Sequence, residues 1–138
     1  MRQHFIDNRP AQGSSGERIP VIDPSTGQEF DSIARGNAAD IDAAVQAARR
    51  AYDGAWGRLS AAERGRLLLK LSVKVLDHFD ELAGIESRDC GKPTKQARAD
   101  VTALARYFEF YGGAADKLHG ETLPYTQGYT VLTLREPH

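Results

Sequence analysis

Cys90 is the one cysteine of the chain, and it sits in the stretch ESRDCGKPTKQA (86–97) between Asp89 and Gly91, with Lys92 close by. A thiol in such surroundings can serve as a nucleophile, as a metal ligand, or as a small residue that ends a helix. Nucleophilic work needs the thiolate, which forms readily beside positive charge or at a helix N-terminus. The periodicity around residue 90 puts it instead at a helix C-terminus, where the carbonyls carry partial negative charge and Asp89 adds more. No histidine is near in sequence to act as its base. Cys90 therefore reads as helix-end filler. The four histidines, at 4, 78, 119 and 138, are scattered singly, and no Cys/His set has zinc spacing. Neither a G-x-G-x-x-G nor a P-loop pattern occurs. Ser14, Ser15, Ser25, Ser60 and Ser72 all lie outside any G-x-S-x-G elbow.

The elements that would position these residues belong to an ordinary globular chain. Its 138 residues, 41% hydrophobic and 27% charged, fit one compact domain or a piece of a larger one. The net charge of −1 arises from mixed signs without a like-charge block, which argues against nucleic acid or an anionic membrane as partner. No apolar run approaches the ~20 residues that span a bilayer. The N-terminal MRQHFIDNRP lacks the apolar core of a secretory signal, and a single cysteine suits a reducing compartment, so the expected location is cytoplasmic.

Along the chain, HFID (4–7) reads as a short strand and NRPAQGSSGE (8–17) as turn and loop. Two β-rich pieces centred on Val21–Ile22 and Phe30–Ile33 flank the turn sequence DPSTG, with Pro20 and Pro24 marking the first as an edge. After Gly36 the period becomes helical. Asn37 caps a helix over 38–53, and Ser60-x-x-Glu63 is a capping box opening a second helix with the stripe Leu67, Leu68, Leu71, Val75, Phe79. A third helix, roughly 79–89 with Leu82 and Ile85, stops at Gly91. Pro93 then starts a fourth, to about 118, with Val101, Leu104, Phe108, Tyr111 and Ala115 on one face. Pro124 breaks any helix, Gln127-Gly128 is a turn, and YTVLTLR (129–135) reads as a late strand in a ribbon that stops at Pro137-His138. No strand is long enough to form a central sheet for four amphipathic helices, so the domain reads as incomplete.

Several stretches together resemble the aldehyde dehydrogenase superfamily. VIDPSTGQ (21–28) resembles its N-P-x-T-G-E turn, and Arg35-Gly36 precedes a helix of the DIDAAVQAARRAYD type (40–53). Trp56 to Leu68 follows W-x-x-L-S-x-x-E-R-x-x-x-L, DELAGIESRDCGKP (80–93) is similar to E-L-A-x-x-E-x-x-D-x-G-K-P, and FEFYGGAADKLHGETLP (108–124) to Y-Y-A-G-x-A-D-K-x-x-G-x-x-x-P. The resemblance implies an α/β fold overall. Residues 1–120 would be the N-terminal part of the cofactor-binding domain (strands 4–35, helices 38–118), and 121–138 the start of an oligomerisation arm. It implies an aldehyde oxidised to a carboxylic acid through a cysteine thiohemiacetal, with NAD or NADP as acceptor, in a homodimer or homotetramer. The nucleophile, the general base and the cofactor contacts of such enzymes fall beyond residue 138, so no catalytic or cofactor-binding residue is expected here. Cys90 occupies a variable position of the family pattern. One site is partly represented: family members similar to this chain hold a monovalent cation, K+ or Na+, with carbonyls at the positions of Val21 and Ile22 and a carboxylate at Asp89. Oxygen donors suit a hard alkali cation. The other reading is that Asp89 caps or pairs with a nearby Arg or Lys. The rival for the whole chain is a non-catalytic helical interaction module derived from the same family.

Overall fold

The computed structural model describes residues 2–136. The N-terminal residues form two antiparallel hairpins. In the first, β1 (His4–Ile6) pairs with β2 (Arg9–Ala11) around Asp7 and Asn8, whose φ values of 56° and 59° make a two-residue primed turn. The second of these strands falls where the sequence pattern suggests a loop. Pro10, which cannot donate to a ladder, hides the strand, and Asp-Asn is a weaker hairpin signal than a pair ending in glycine. In the second hairpin, β3 (Arg18–Asp23) pairs with β4 (Gln28–Ala34) as expected, about the DPSTG turn. Asp23 builds that turn. Its carboxylate accepts from Ser25 N at 2.8 Å, its carbonyl from Gly27 N at 2.8 Å, and Gly27 takes the left-handed conformation at φ 70°.

The β3–β4 register carries an irregularity that the sequence does not announce. Val21 faces Asp31 while the next residue, Ile22, faces Glu29, so Phe30 is left over as a β-bulge. On the far side of β4, Arg2 forms a parallel bridge to Ile33. Arg18 ties the hairpin together, donating to the hydroxyl and carbonyl of Ser32 at 2.8 and 2.6 Å. Among the described residues the outer edge of β3 pairs with no further strand.

Four helices follow. α1 (Ala38–Asp53) and α2 (Ala61–Asp77) both open with complete capping boxes, Asn37 with Asp40 and Ser60 with Glu63. α3 (Phe79–Cys90) ends at Gly91, and α4 (Thr94–Ala114) starts after Pro93. α4 ends short of the expected residue 118, just after the Gly112-Gly113 pair, where helix propensity is poorest. α2, α3 and α4 pack on one another around Val75, Ala83, Ala97, Val101 and Ala105, with Phe79, Leu82 and Phe108 against them.

This core keeps Val75, Val101, Phe79, Leu82 and Phe108 of the expected apolar stripes and corrects the rest. Leu67 and Leu71 of α2, Ile85 of α3, and Leu104 and Tyr111 of α4 are all exposed, and mostly small residues take the buried positions. α2 crosses α4 so closely that a Cβ on Gly65 would lie 2.4 Å from the carbonyl oxygen of Gly112. Ser72, buried in mid-helix, donates to the Ala105 carbonyl at 2.8 Å across the same seam. At that separation Gly65 and Gly112 have no room for side chains of their own, and Leu69 packs directly against Gly112. Hydrophobic periodicity finds the helices, but the crossing distance decides which of their faces is inside.

The last element is a short ribbon, β5 (Thr122–Leu123) with β6 (Val131–Leu132), closed by a turn over 126–129 with Gly128 at φ 91°. The expected strand 129–135 is therefore reduced to two paired residues, extended by Thr133 N donating to the Glu121 carbonyl at 2.8 Å. Pro137 and His138, the expected stop of that strand, lie outside the described residues.

The α2–α4 crossing makes a direct test. Gly65→Ala is expected to lose about 1–3 kcal/mol, as overpacked cores do. Gly84→Ala in α3, whose Cβ would meet nothing within 4 Å, is expected to gain up to about 1 kcal/mol from helix propensity. Urea unfolding midpoints of the two variants check the opposite signs.

Candidate functional site

The chemistry of the 86–97 stretch is organised by the corner between α3 and α4. Gly91 turns the chain with φ 69°, a left-handed conformation that a side chain resists. A Cβ there would also lie 2.9 Å from Pro24 Cγ, so the corner sits directly on the DPSTG turn. Lys92 projects back between the helices and bonds Glu86 of α3 and, at 2.7 Å, Asp100 of α4. Ser87 donates to the Lys92 carbonyl at 2.7 Å, and the Pro93 carbonyl accepts from Gln96 and Ala97 at 2.8 and 3.0 Å. Side chains and backbone together close the corner.

A second set of contacts joins α3 to the hairpin. The Arg88 guanidinium lies over the Phe30 ring, 4.2 Å from its centroid, and Arg88 Nε approaches Asp23 Oδ2 at 3.8 Å. Arg88 and Gly91 bracket Asp89, while Asp23, Pro24 and Phe30 bracket the hairpin residues next to Val21 and Ile22. Asp89 itself is exposed and makes no ion pair among the described residues. Among the described residues Asp89 thus forms no pair with a nearby Arg or Lys, one part of the alternative reading that it caps or pairs. No group of three or more His, Cys, Asp or Glu side chains able to hold a metal occurs among the described residues. A cation at this place would depend on backbone carbonyls.

Cys90 is the last residue of α3, exposed, with Sγ donating to the Glu86 carbonyl one turn back at 3.0 Å. Of the histidines, His78 faces Glu81 at 2.9 Å, and none within the described residues bonds the thiol.

Residues 11–138 match the profile of the Aldehyde dehydrogenase family. The chain belongs to this family. It is 44% identical over 137 residues to the mitochondrial aldehyde dehydrogenase family 2 member B4 of Arabidopsis thaliana, covering 98% of this chain and 26% of that protein. Among solved structures it resembles a candidate aldehyde dehydrogenase of Burkholderia cenocepacia, with a TM-score of 0.94 and 65% identity over 98% of this chain and 28% of that one. PnpE of Pseudomonas sp. WBC-3, also solved with nicotinamide adenine dinucleotide, gives a TM-score of 0.91 at 42% identity over 99% of this chain and 28% of PnpE. The chain thus spans about a quarter of the length of these relatives.

The family's G-K-P and N-P-x-T-G motifs are distant in sequence, and here they meet as Gly91 against Pro24. Sequence reasoning singles out Val21, Ile22 and Asp89 and misses Arg88, Phe30 and Asp100, which hold the corner and the hairpin in place. In the sequence Lys92 stands out only as a charge beside Cys90. The i, i+8 spacing of Lys92 and Asp100 across a Gly-x-Pro break is the available signal.

The corner is expected to be acid-labile. Hydrogen bonding from Lys92, then from Gln96, holds the Asp100 carboxyl below the usual carboxylate range. The bonds of Lys92 to Asp100 and Glu86 raise the lysine well above its own range. A depressed carboxylate contributes stability that is present above its unfolded titration, near about pH 4, and is lost as pH falls through the folded value. A raised lysine contributes stability that is complete below its unfolded titration, near about pH 10.4, and is lost only as pH rises through the folded value. Lys92→Met should therefore flatten the loss of melting temperature on going from about pH 6 to about pH 3. Parallel acid titrations of both proteins by calorimetry check it; superimposable slopes would contradict the coupling.

Proposed function

We infer that this chain is the N-terminal portion of an NAD(P)-dependent aldehyde dehydrogenase, which oxidises an aldehyde to a carboxylic acid. The observation that carries the reading is the match over residues 11–138 together with coverage of only about a quarter of each relative. The chemistry of the reaction then belongs to residues beyond 138. The nucleophilic cysteine and the base are not among the groups described above, since Cys90 lies at a helix C-terminus against a carbonyl. The described strands form three two-stranded antiparallel sheets, which do not fit a dinucleotide, because its phosphates need a strand, a glycine turn and a helix N-terminus. No step is assigned to NAD or NADP on these residues. NAD is the favoured acceptor, in keeping with the dinucleotide bound by PnpE.

The same reading gives residues 1–120 the role of scaffold for the cofactor-binding domain, with 121–138 beginning an arm that joins subunits. A monovalent cation, K+ or Na+, would be held by the carbonyls of Val21 and Ile22 and the carboxylate of Asp89. The residues fit: the bulge at Val21/Ile22 takes that backbone out of regular register, the outer edge of β3 pairs with no strand among the described residues, and Asp89 makes no ion pair there. All donors are oxygens, the set an alkali cation prefers. Among the described residues no helix is long and apolar enough to cross a membrane. We favour a cytoplasmic location because the single cysteine suits a reducing compartment.

Two experiments test the reading. Isothermal calorimetry of the 138-residue chain with NAD is expected to show no micromolar binding, and the chain to oxidise no aldehyde; a micromolar Kd would move the cofactor site into these residues. The arm is tested at Leu132, exposed on β6 beside the exposed Tyr129 and Leu134. A strand with apolar groups on both faces needs cover from another chain or from further residues. In the longer protein, Leu132→Lys is expected to convert a homodimer or homotetramer to smaller species while α2–α4 stay folded. Sedimentation that finds the variant as oligomeric as the wild type would remove the arm from this account.

A further inference from the structure

The bulge in the β3–β4 hairpin lies opposite the two residues whose carbonyls are the candidate cation donors. With Val21 facing Asp31 and Ile22 facing Glu29, the surplus residue is Phe30. A bulge re-aims a side chain and bends its strand, and the side chain re-aimed here is the one on which Arg88 rests, at 4.2 Å from the ring centroid. The same guanidinium reaches Asp23, at 3.8 Å, the residue that follows Ile22 and nucleates the DPSTG turn. Arg88 therefore touches the hairpin at Phe30, opposite the Val21–Ile22 step, and at Asp23, directly after it, and does so from the helix that carries Asp89.

A guanidinium beside a cation site is at first sight an obstacle. Here its charge is opposed by Asp23, whose side chain is only 17% exposed, and part of it is spread over the Phe30 face. Lysine would offer a point charge without the planar stack. Gly91 supplies the other end of the grip through its contact with Pro24, but that contact is steric and sets a distance, not an orientation. The stack and the ion pair do orient.

We propose that Arg88 is the positioning residue of the cation site, setting the carbonyls of Val21 and Ile22 against Asp89 by way of the Phe30 bulge and Asp23. The proposal rests on the cation reading given above, and it concerns a residue that touches no cation itself. Its consequence is that cation affinity depends on Arg88 beyond any general loss of stability.

The test is thermal unfolding of the full chain titrated with KCl, NaCl or choline chloride at constant ionic strength, for wild type, Asp89→Ala, Arg88→Ala, Arg88→Lys and Phe30→Leu. Binding to the native state raises stability with cation concentration according to Kd. The wild type is expected to melt higher in K+ or Na+ than in choline, and Asp89→Ala to lose that difference. Arg88→Ala is expected to raise the apparent Kd about tenfold, the equivalent of about 1.4 kcal/mol. Arg88→Lys, which keeps the charge opposite Asp23, should recover part of the affinity. Phe30→Leu, which keeps apolar volume and removes the ring, should weaken binding and carries the test should Arg88→Ala not fold. A wild type that responds equally to all three salts removes the cation site and Arg88's role together. A wild type with a specific response, matched by the same Kd in Arg88→Ala or in Phe30→Leu, keeps the site and overturns the proposal for Arg88.

Discussion

Gly91 is the point at which the described structure is joined. Its left-handed backbone ends α3, and the space where a Cβ would stand is taken by Pro24, so the helical layer and the β3–β4 hairpin can approach only if this residue has no side chain. Two independent constraints, conformational and steric, select glycine at one position. From that corner the chain leaves through Pro93, whose φ of −54° and missing N–H suit the residue that starts α4. Lys92, held between them, bridges Glu86 of α3 and Asp100 of α4 across the corner. The three residues of the G-K-P motif act as a joint, each through a different physical property.

The α2–α4 seam works by a complementary device. Large side chains would hold two helices apart, whereas Gly65, Ser72, Ala105 and Gly112 let the backbones nearly touch. The Ser72 hydroxyl satisfies itself on a carbonyl of the facing helix, which a longer polar group could not do at that distance. Tight crossing leaves many of the leucines and aromatics of both helices on outward faces. Those faces are too apolar to be solvent surfaces by preference. Their distribution agrees with a chain that spans about a quarter of its relatives' length.

How much of this is legible in the sequence follows from the range of the forces involved. Local rules suffice for the capping boxes at Asn37 and Ser60, the DPSTG turn, the stop at Gly91 and the start after Pro93, because each depends on residues within one turn of the chain. The family resemblance is legible for the same reason, as ordered short motifs. The inward faces of α2 and α4 are legible only in part: Val75, Val101 and Phe108 of the expected stripes do lie at the core, whereas Gly65, Ser72 and Gly112 carry no hydrophobic signal and are selected by the distance to another helix. The Phe30 bulge is equally hidden. A slip in register between Val21–Ile22 and the facing strand changes no residue type, and the guanidinium that lies over the bulged ring comes from a helix remote in sequence. Val21, Ile22 and Asp89 can be named from the resemblance, while the contacts of Arg88 with Phe30 and Asp23 beside them cannot.

A binding site made of main-chain carbonyls faces a difficulty that side-chain sites do not. Carbonyls in a regular ladder already accept hydrogen bonds from the neighbouring strand, and a side-chain rotamer cannot redirect them. An open edge, such as the outer side of β3, leaves alternate carbonyls without a strand partner, and a bulge re-aims the backbone beside them. In this hairpin Arg88 lies over the ring of the bulged Phe30 and approaches Asp23. Asp23 is meanwhile committed to the turn through Ser25 and Gly27. Turn, bulge and helix end are therefore one connected set of contacts. That closure is why two motifs remote in sequence can define a single place in the fold, and why the residues that do so are mostly not the ones that would touch a ligand there.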